Sequence, residues 1–157
     1  MVRDEVGLFS LAVAGALAEF GGRDLLAHTK EVIVENGGDI FLKIDQVRKI
    51  GIFAGNSPFS EKIALEVEPG EKPFSVCTSS GTVGPSFSFG KADAIVVIAE
   101  NAALADAAAT AIGNVVIEVA DIDHGLNLAK KSKGLDGDLS IKVDQVGALG
   151  RVKLVAL

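Results

Sequence analysis

From residue 5 to residue 20 apolar side chains fall on every helical face, with Gly7, Gly15 and several alanines between the larger ones. That pattern predicts a helix buried on all sides, ended by Gly21-Gly22. A short helix over residues 23–30 is expected next. Val32-Ile33-Val34 and Ile40-Phe41-Leu42 then read as two strands of a hairpin about Asn36-Gly37-Gly38-Asp39, because paired glycines supply the positive φ that a tight hairpin turn requires. Further short β-rich runs cover residues 50–53, 63–67 and 74–77, punctuated by Gly, Pro and Ser, with antiparallel pairing the natural reading. A continuous apolar strand spans 94–98. Asn101 is positioned to cap an Ala-rich helix from 102 to about 112 that closes near Gly113-Asn114. A second helix, 122–133, ends at Gly134, and strands over 139–143 and 152–155 finish the chain. The segment Leu42-Lys43-Ile44-Asp45-Gln46-Val47 is echoed by Ile141-Lys142-Val143-Asp144-Gln145-Val146, either as the trace of a duplicated hairpin or as chance among interchangeable β-formers.

No Pro-rich or charge-rich linker interrupts this pattern, so the 157 residues read as one domain, 1–157. A 48% hydrophobic and 23% charged composition is that of a globular chain with its own core. The net charge of −6, with no basic run longer than Lys130-Lys131, argues against a nucleic-acid partner. The apolar stretch 6–18 is too short to span a bilayer, so no membrane association is expected. Asp4 and Glu5 are unlike the positive start of a signal peptide. One cysteine, Cys77, allows no internal disulfide, and two distant histidines give no zinc-ligand spacing. A reducing compartment, the cytoplasm, is the expected location. Trp and Tyr are absent, so a bound chromophore would dominate the near-ultraviolet spectrum.

Three segments carry candidate chemistry. On the Ala-rich helix Asp106 and Thr110 are four residues apart and share a face, which Asn114 extends. Two oxygen donors on an apolar helix suit a hard cation such as Mg²⁺; the plainer alternative leaves Asp106 in water and Thr110 bonded back to its own turn. The second segment, Ser75-Val76-Cys77-Thr78-Ser79-Ser80-Gly81-Thr82-Val83-Gly84, gathers hydroxyls, glycines and the only thiol. It is able to cradle an anion or to be a solvated turn, and it lacks the order of a P-loop. Cys77 beside a strand end is either a small core residue or a reactive thiol. In the third, Gly37 and Gly38 permit positive φ, and Asp39 is free to orient a ligand or close an Asx turn. His28 and His124 suggest no role.

In order along the chain, Glu35-Asn36-Gly37-Gly38-Asp39-Ile40, Gly51-Ile52-Phe53-Ala54-Gly55, Cys77-Thr78-Ser79-Ser80-Gly81-Thr82-Val83-Gly84, Phe87-Ser88-Phe89-Gly90-Lys91-Ala92-Asp93 and Ala103-Leu104-Ala105-Asp106-Ala107-Ala108-Ala109-Thr110-Ala111 resemble the UPF0280 family, a group similar to ApbE, the FAD:protein FMN transferase. The resemblance implies an α+β, two-layer, T-fold-like antiparallel sheet with helices packed on one face, in agreement with the element order. It implies cofactor contacts from Gly37, Gly38 and Asp39 and from Thr78, Ser79, Ser80, Gly81 and Thr82, with Mg²⁺ held by Asp106 and Thr110 and FAD or FMN as the cofactor. Two departures stand out. The ApbE segment His-x-x-Asp-Pro-x-Thr-Gly has no counterpart, Pro85 standing where relatives carry His, and the chain is short at its N-terminus relative to the family. Family folds of this type assemble with sites between subunits, so a homo-oligomer, a dimer, is expected.

The function expected from this resemblance is a pocket for a flavin or similar phosphorylated small molecule with Mg²⁺, with FMN transfer as its possible chemistry. Two alternatives stand beside it: a sulfur-assimilation enzyme using Cys77 as its catalytic thiol, and a non-catalytic ligand-binding or structural subunit.

Overall fold

The computed structural model describes residues 12–83 and 88–157. Among the described residues nine strands form two antiparallel sheets, with three α-helices on one side of the larger. The larger sheet has the order β1-β2-β5-β6-β7-β8 and is built from Val32–Asn36, Asp39–Lys43, Phe74–Ser79, Ala94–Ala99, Leu135–Lys142 and Gln145–Gly150. The smaller joins β3 (Arg48–Gly51), β4 (Ile63–Val67) and β9 (Leu154–Ala156) in the order β3-β4-β9. All pairings are antiparallel, as the spacing of short β-rich runs predicts.

Side-chain alternation divides the core. Cys77, Ile95, Val97 and Ala99 face α2 (Ala102–Val115) and α3 (Ile122–Lys131), packing against Ala105, Ala109 and Ile112. Their neighbours Val76, Val96, Ile98, Leu139 and Ile141 face the other way and pack with Ile52, Leu65 and Val67. The α+β class and the helices on one face of an antiparallel sheet are therefore seen. The face opposite the helices is closed by the small sheet, which the period-2 pattern could not reveal, since a strand buried on both faces reads as an unbroken apolar run.

The first described helix, α1 (Val13–Leu25), differs from expectation in both end and environment. Residues 5–11 of the predicted helix lie outside the described residues. The helix runs through Gly21-Gly22 rather than ending there, and it absorbs the start of the predicted 23–30 helix. Gly22 is a contact point: a methyl group there would overlap the ring of Phe41, so the glycine lets α1 lie on β2. Nor is α1 buried on all sides, since only Gly15, Ala18 and Gly22 are buried, while Val13, Leu17 and Phe20 are exposed.

The β1–β2 hairpin forms as predicted, with Asn36 opposite Asp39 and Gly37 and Gly38 at φ +65° and +98°, the two positive values of a type I′ turn. At the other end, the partner of β7 is β8, reached through a turn that puts Val143 at φ 56°. The last strand, expected over 152–155, is β9 and crosses to the small sheet. The echoed segments thus fold differently. Residues 42–47 leave the large sheet for β3, whereas residues 141–146 make a hairpin.

Candidate functional site

The ends of β2, β5 and β6 meet the N-terminal turn of α1 and the Asp106–Thr110 face of α2 around a cleft of about 890 Å³. Its lining combines oxygen-bearing side chains, Glu35, Asp39, Thr78, Ser79, Ser80, Asp106 and Thr110, with apolar ones, Ile50, Ile52, Phe53, Leu65 and Val96. Among the described residues no Lys, Arg or His lines it.

Two side chains cap the start of α2, and one of them ties it to α1. Asn101 Oδ1 accepts the Leu104 N–H at 2.7 Å, the predicted N-cap, and Glu19 Oε2 of α1 accepts the Ala102 N–H at 2.7 Å. The helices touch closely, since a methyl on Gly15 would stand 2.8 Å from the Ala102 carbonyl oxygen. In this contact the Gly15 N–H, an unpaired donor of the first turn of α1, donates to Asp106 Oδ2 at 3.0 Å. Asp106 is 6% exposed, and the Thr110 side chain, 9% exposed, makes no hydrogen bond to another described residue although it faces the cleft. Neither half of the plainer alternative describes these two residues. Asp106 is not in water, and the Thr110 hydroxyl does not bond back to its helix.

Asp39, 3% exposed, begins β2 directly after the glycine turn. Its Oδ1 accepts the Thr78 N–H at 3.0 Å, and the Thr78 hydroxyl donates to the Gly38 carbonyl at 3.0 Å. Burial, then the neighbouring Asp106 carboxylate, pushes Asp39 up to about 7, with the Thr78 N–H pulling the other way. Two carboxyl groups thus stand side by side, and among the described residues no basic side chain lines the cleft with them.

The serine–threonine loop divides in two. Thr78, Ser79 and Ser80 line the cleft with Gly37 and Gly38. Gly81 and Thr82 do not. The Gly81 N–H donates to the Ala92 carbonyl at 2.8 Å, and the Thr82 hydroxyl to Asp93 Oδ1 at 2.9 Å. The Ser80 oxygen accepts from the Thr82 and Val83 N–H groups at 3.1 and 3.0 Å. These bonds shape the loop; Gly84 and Pro85 lie outside the described residues. Asn114 is turned away from the Asp106–Thr110 line, its Oδ1 accepting from the Phe89 N–H at 2.9 Å and the Ser88 hydroxyl at 3.3 Å. Here backbone meets backbone. A methyl on Gly81 would overlap the Gly90 carbonyl, and one on Gly90 would overlap the Gly113 carbonyl at the end of α2.

Cys77 points to the helix side, fully buried, its thiol 3.5 Å from the Ala102 carbonyl oxygen. Burial and the two nearby carboxylates, Asp39 and Asp106, hold the thiol far above its usual range. It is not among the cleft-lining residues.

Sequence reasoning missed the apolar wall as a unit, because Ile50, Leu65 and Val96 come from three strands in two sheets. It also missed the contact between Asp39 and Asp106, whose only trace is that each stands beside a feature singled out for other reasons.

The residues were tested against the divalent cation that the resemblance implies. Among the described residues no three His, Cys, Asp or Glu side chains converge. The buried donors, Asp39, Asp106 and Thr110, are two carboxylates and a hydroxyl, all oxygen, a set suited to Mg²⁺, which keeps several waters and shares ligand phosphates. The Thr110 hydroxyl, which no described residue engages, makes the fit acceptable.

A family model described as "AbpE bacteria" matches residues 5–143. Curated relatives include UPF0280 proteins of Methanococcus aeolicus (40% identical), Methanocella arvoryzae (41%) and Methanocaldococcus jannaschii (43%). Each comparison covers 90% of this chain but only 58–59% of the relative. No helix among the described residues is long and apolar enough to cross a membrane.

Proposed function

Because the chain belongs to the UPF0280 family, we propose that its cleft binds a flavin or a similar phosphorylated cofactor together with Mg²⁺, the arrangement an ApbE-like FMN transferase requires. The observation that carries this reading is the make-up of the cleft, in which oxygen donors and acidic charge stand beside apolar side chains around about 890 Å³. Acidic groups alone repel a phosphate, so an anionic ligand enters only with a cation. When bound, Mg²⁺ neutralises the pyrophosphate and, in a transfer, the leaving nucleotide.

Asp106 and Thr110 ligate the cation in this reading. The Gly15 N–H fixes the Asp106 carboxylate, so its free oxygen is aimed before any ligand arrives. Ser79 and Ser80 donate to phosphate or to the ring edge. Ile50, Ile52, Phe53, Leu65 and Val96 exclude water from the ring, and the Gly37-Gly38 turn holds Thr78 at the rim. The reading that employs Cys77 needs an accessible thiolate, and a packed, protonated thiol offers neither property.

Titration of the purified protein with FAD, followed by visible absorbance with and without Mg²⁺, tests the proposal. Expected is binding that depends on Mg²⁺ and is lost in Asp106→Ala and Thr110→Ala; unchanged affinity in both variants overturns it. A homodimer belongs to the same proposal, the exposed Val13, Leu17 and Phe20 of α1 supplying apolar contact surface. Light scattering at the monomer mass would refute that part.

A further inference from the structure

We infer that Asp39 is a third protein ligand of the cation, beside Asp106 and Thr110, and that the cleft takes up a divalent cation without any phosphorylated partner. The inference rests on the cation-binding reading of the cleft.

Three observations lead to it. Asp39 and Asp106 are both more than nine-tenths buried and line the cleft. Each is held by one backbone N–H at 3.0 Å, from Thr78 to Asp39 Oδ1 and from Gly15 to Asp106 Oδ2. Those bonds fix both carboxyl groups and leave one oxygen of each without an N–H donor among the described residues, the two carboxyl groups being hydrogen-bonding neighbours of each other. Thr110, nine-tenths buried and lining the same cleft, brings a hydroxyl that no described residue engages. Two buried carboxylates in contact repel each other strongly unless a proton or a metal cation lies between them, and among the described residues no lining side chain is basic.

Charge balance gives the consequence. A single carboxylate leaves a divalent ion one charge short, so its retention leans on the phosphates of a ligand. Two carboxylates match the ion's charge, and with the hydroxyl they fill three of about six oxygen positions around Mg²⁺, leaving the others to water or phosphate. Asp39 thus turns a cation site completed by the ligand into one that stands alone.

The test is calorimetric titration of the flavin-free protein with Mn²⁺, with electron paramagnetic resonance of free Mn²⁺ as a second readout. Expected is one Mn²⁺ per chain at micromolar affinity, weakened about tenfold or more in Asp39→Asn and in Asp106→Asn. Asn keeps an oxygen for the Thr78 N–H, and far-ultraviolet circular dichroism verifies folding. Wild-type affinity in folded Asp39→Asn, with binding lost in Asp106→Asn, overturns the role of Asp39 and leaves the cation reading standing. No Mn²⁺ bound by the wild-type chain below millimolar concentration overturns uptake without a ligand, whichever variants fold. If Mg²⁺-dependent flavin binding is absent as well, the broader reading falls with it.

Discussion

Asp138 offers a quantitative test of how burial acts in this fold. Its side chain lies on the helix-facing side of β7, fully buried, with Oδ2 accepting the Ser140 hydroxyl at 3.1 Å and Oδ1 without a partner among the described residues. Burial raises the carboxyl from its ordinary 3.8 to about 6, against the pull of Ser140. In the unfolded chain the proton leaves near 3.8 and in the folded protein near 6, so between these values the folded state holds more protons and stability falls as pH rises. The full effect well above pH 6 is about 3 kcal/mol, of which about 2 kcal/mol develops between pH 4.5 and pH 8. Asp138→Asn removes this titration. Asp39, also raised, titrates in the same window, but it sits three strand spacings away, about 14 Å, and cancels in the difference between variant and wild type. Urea unfolding followed by circular dichroism is the assay, since the chain has no Trp or Tyr to report fluorescence. The stability of Asp138→Asn relative to wild type should rise by about 2 kcal/mol from pH 4.5 to pH 8. A pH-independent difference between the two proteins would refute the argument, whatever its size.

Other substitutions probe packing and reactivity. Gly22→Ala drives a methyl into the buried Phe41 ring, and a loss of about 1–3 kcal/mol is expected by urea unfolding; unchanged stability would mean that α1 does not lie against β2 as described. Gly90→Ala sets a methyl against the Gly113 carbonyl, a backbone atom unable to swing aside. A larger loss than for Gly22→Ala is expected, and a smaller one contradicts the close approach. Cys77 should react with iodoacetamide only as fast as the protein opens, because the thiol is buried and held protonated; labelling at the rate of a free thiol would show otherwise.

What the sequence discloses here is what is local. The type I′ turn follows from Gly37-Gly38 because few other pairs adopt two positive φ values, and the start of α2 follows from Asn101 because its side chain caps the third residue on. Signals that depend on distant neighbours mislead. Gly21-Gly22 reads as a stop until Phe41 is placed beneath it, and Val143 at φ 56° gives no hint of a hairpin turn, since β-branched residues rarely adopt that conformation. The candidate site shows the same division. Asp106 and Thr110 are related by helical period and are visible as a pair. Asp39 joins them only when β2 comes to lie beside β5, which no spacing encodes, and the apolar wall needs both sheets.

The glycine stack from Gly81 through Gly90 to Gly113 welds the serine loop to the far end of the helix that carries Asp106 and Thr110. With no side chains in between, the joint has no rotamers to yield. Hydroxyl rim and acidic floor therefore form a single jaw, and any widening of the cleft to admit a bulky guest falls to the opposite jaw, the Ile50–Phe53 stretch, whose outermost ring at Phe53 is more than half exposed.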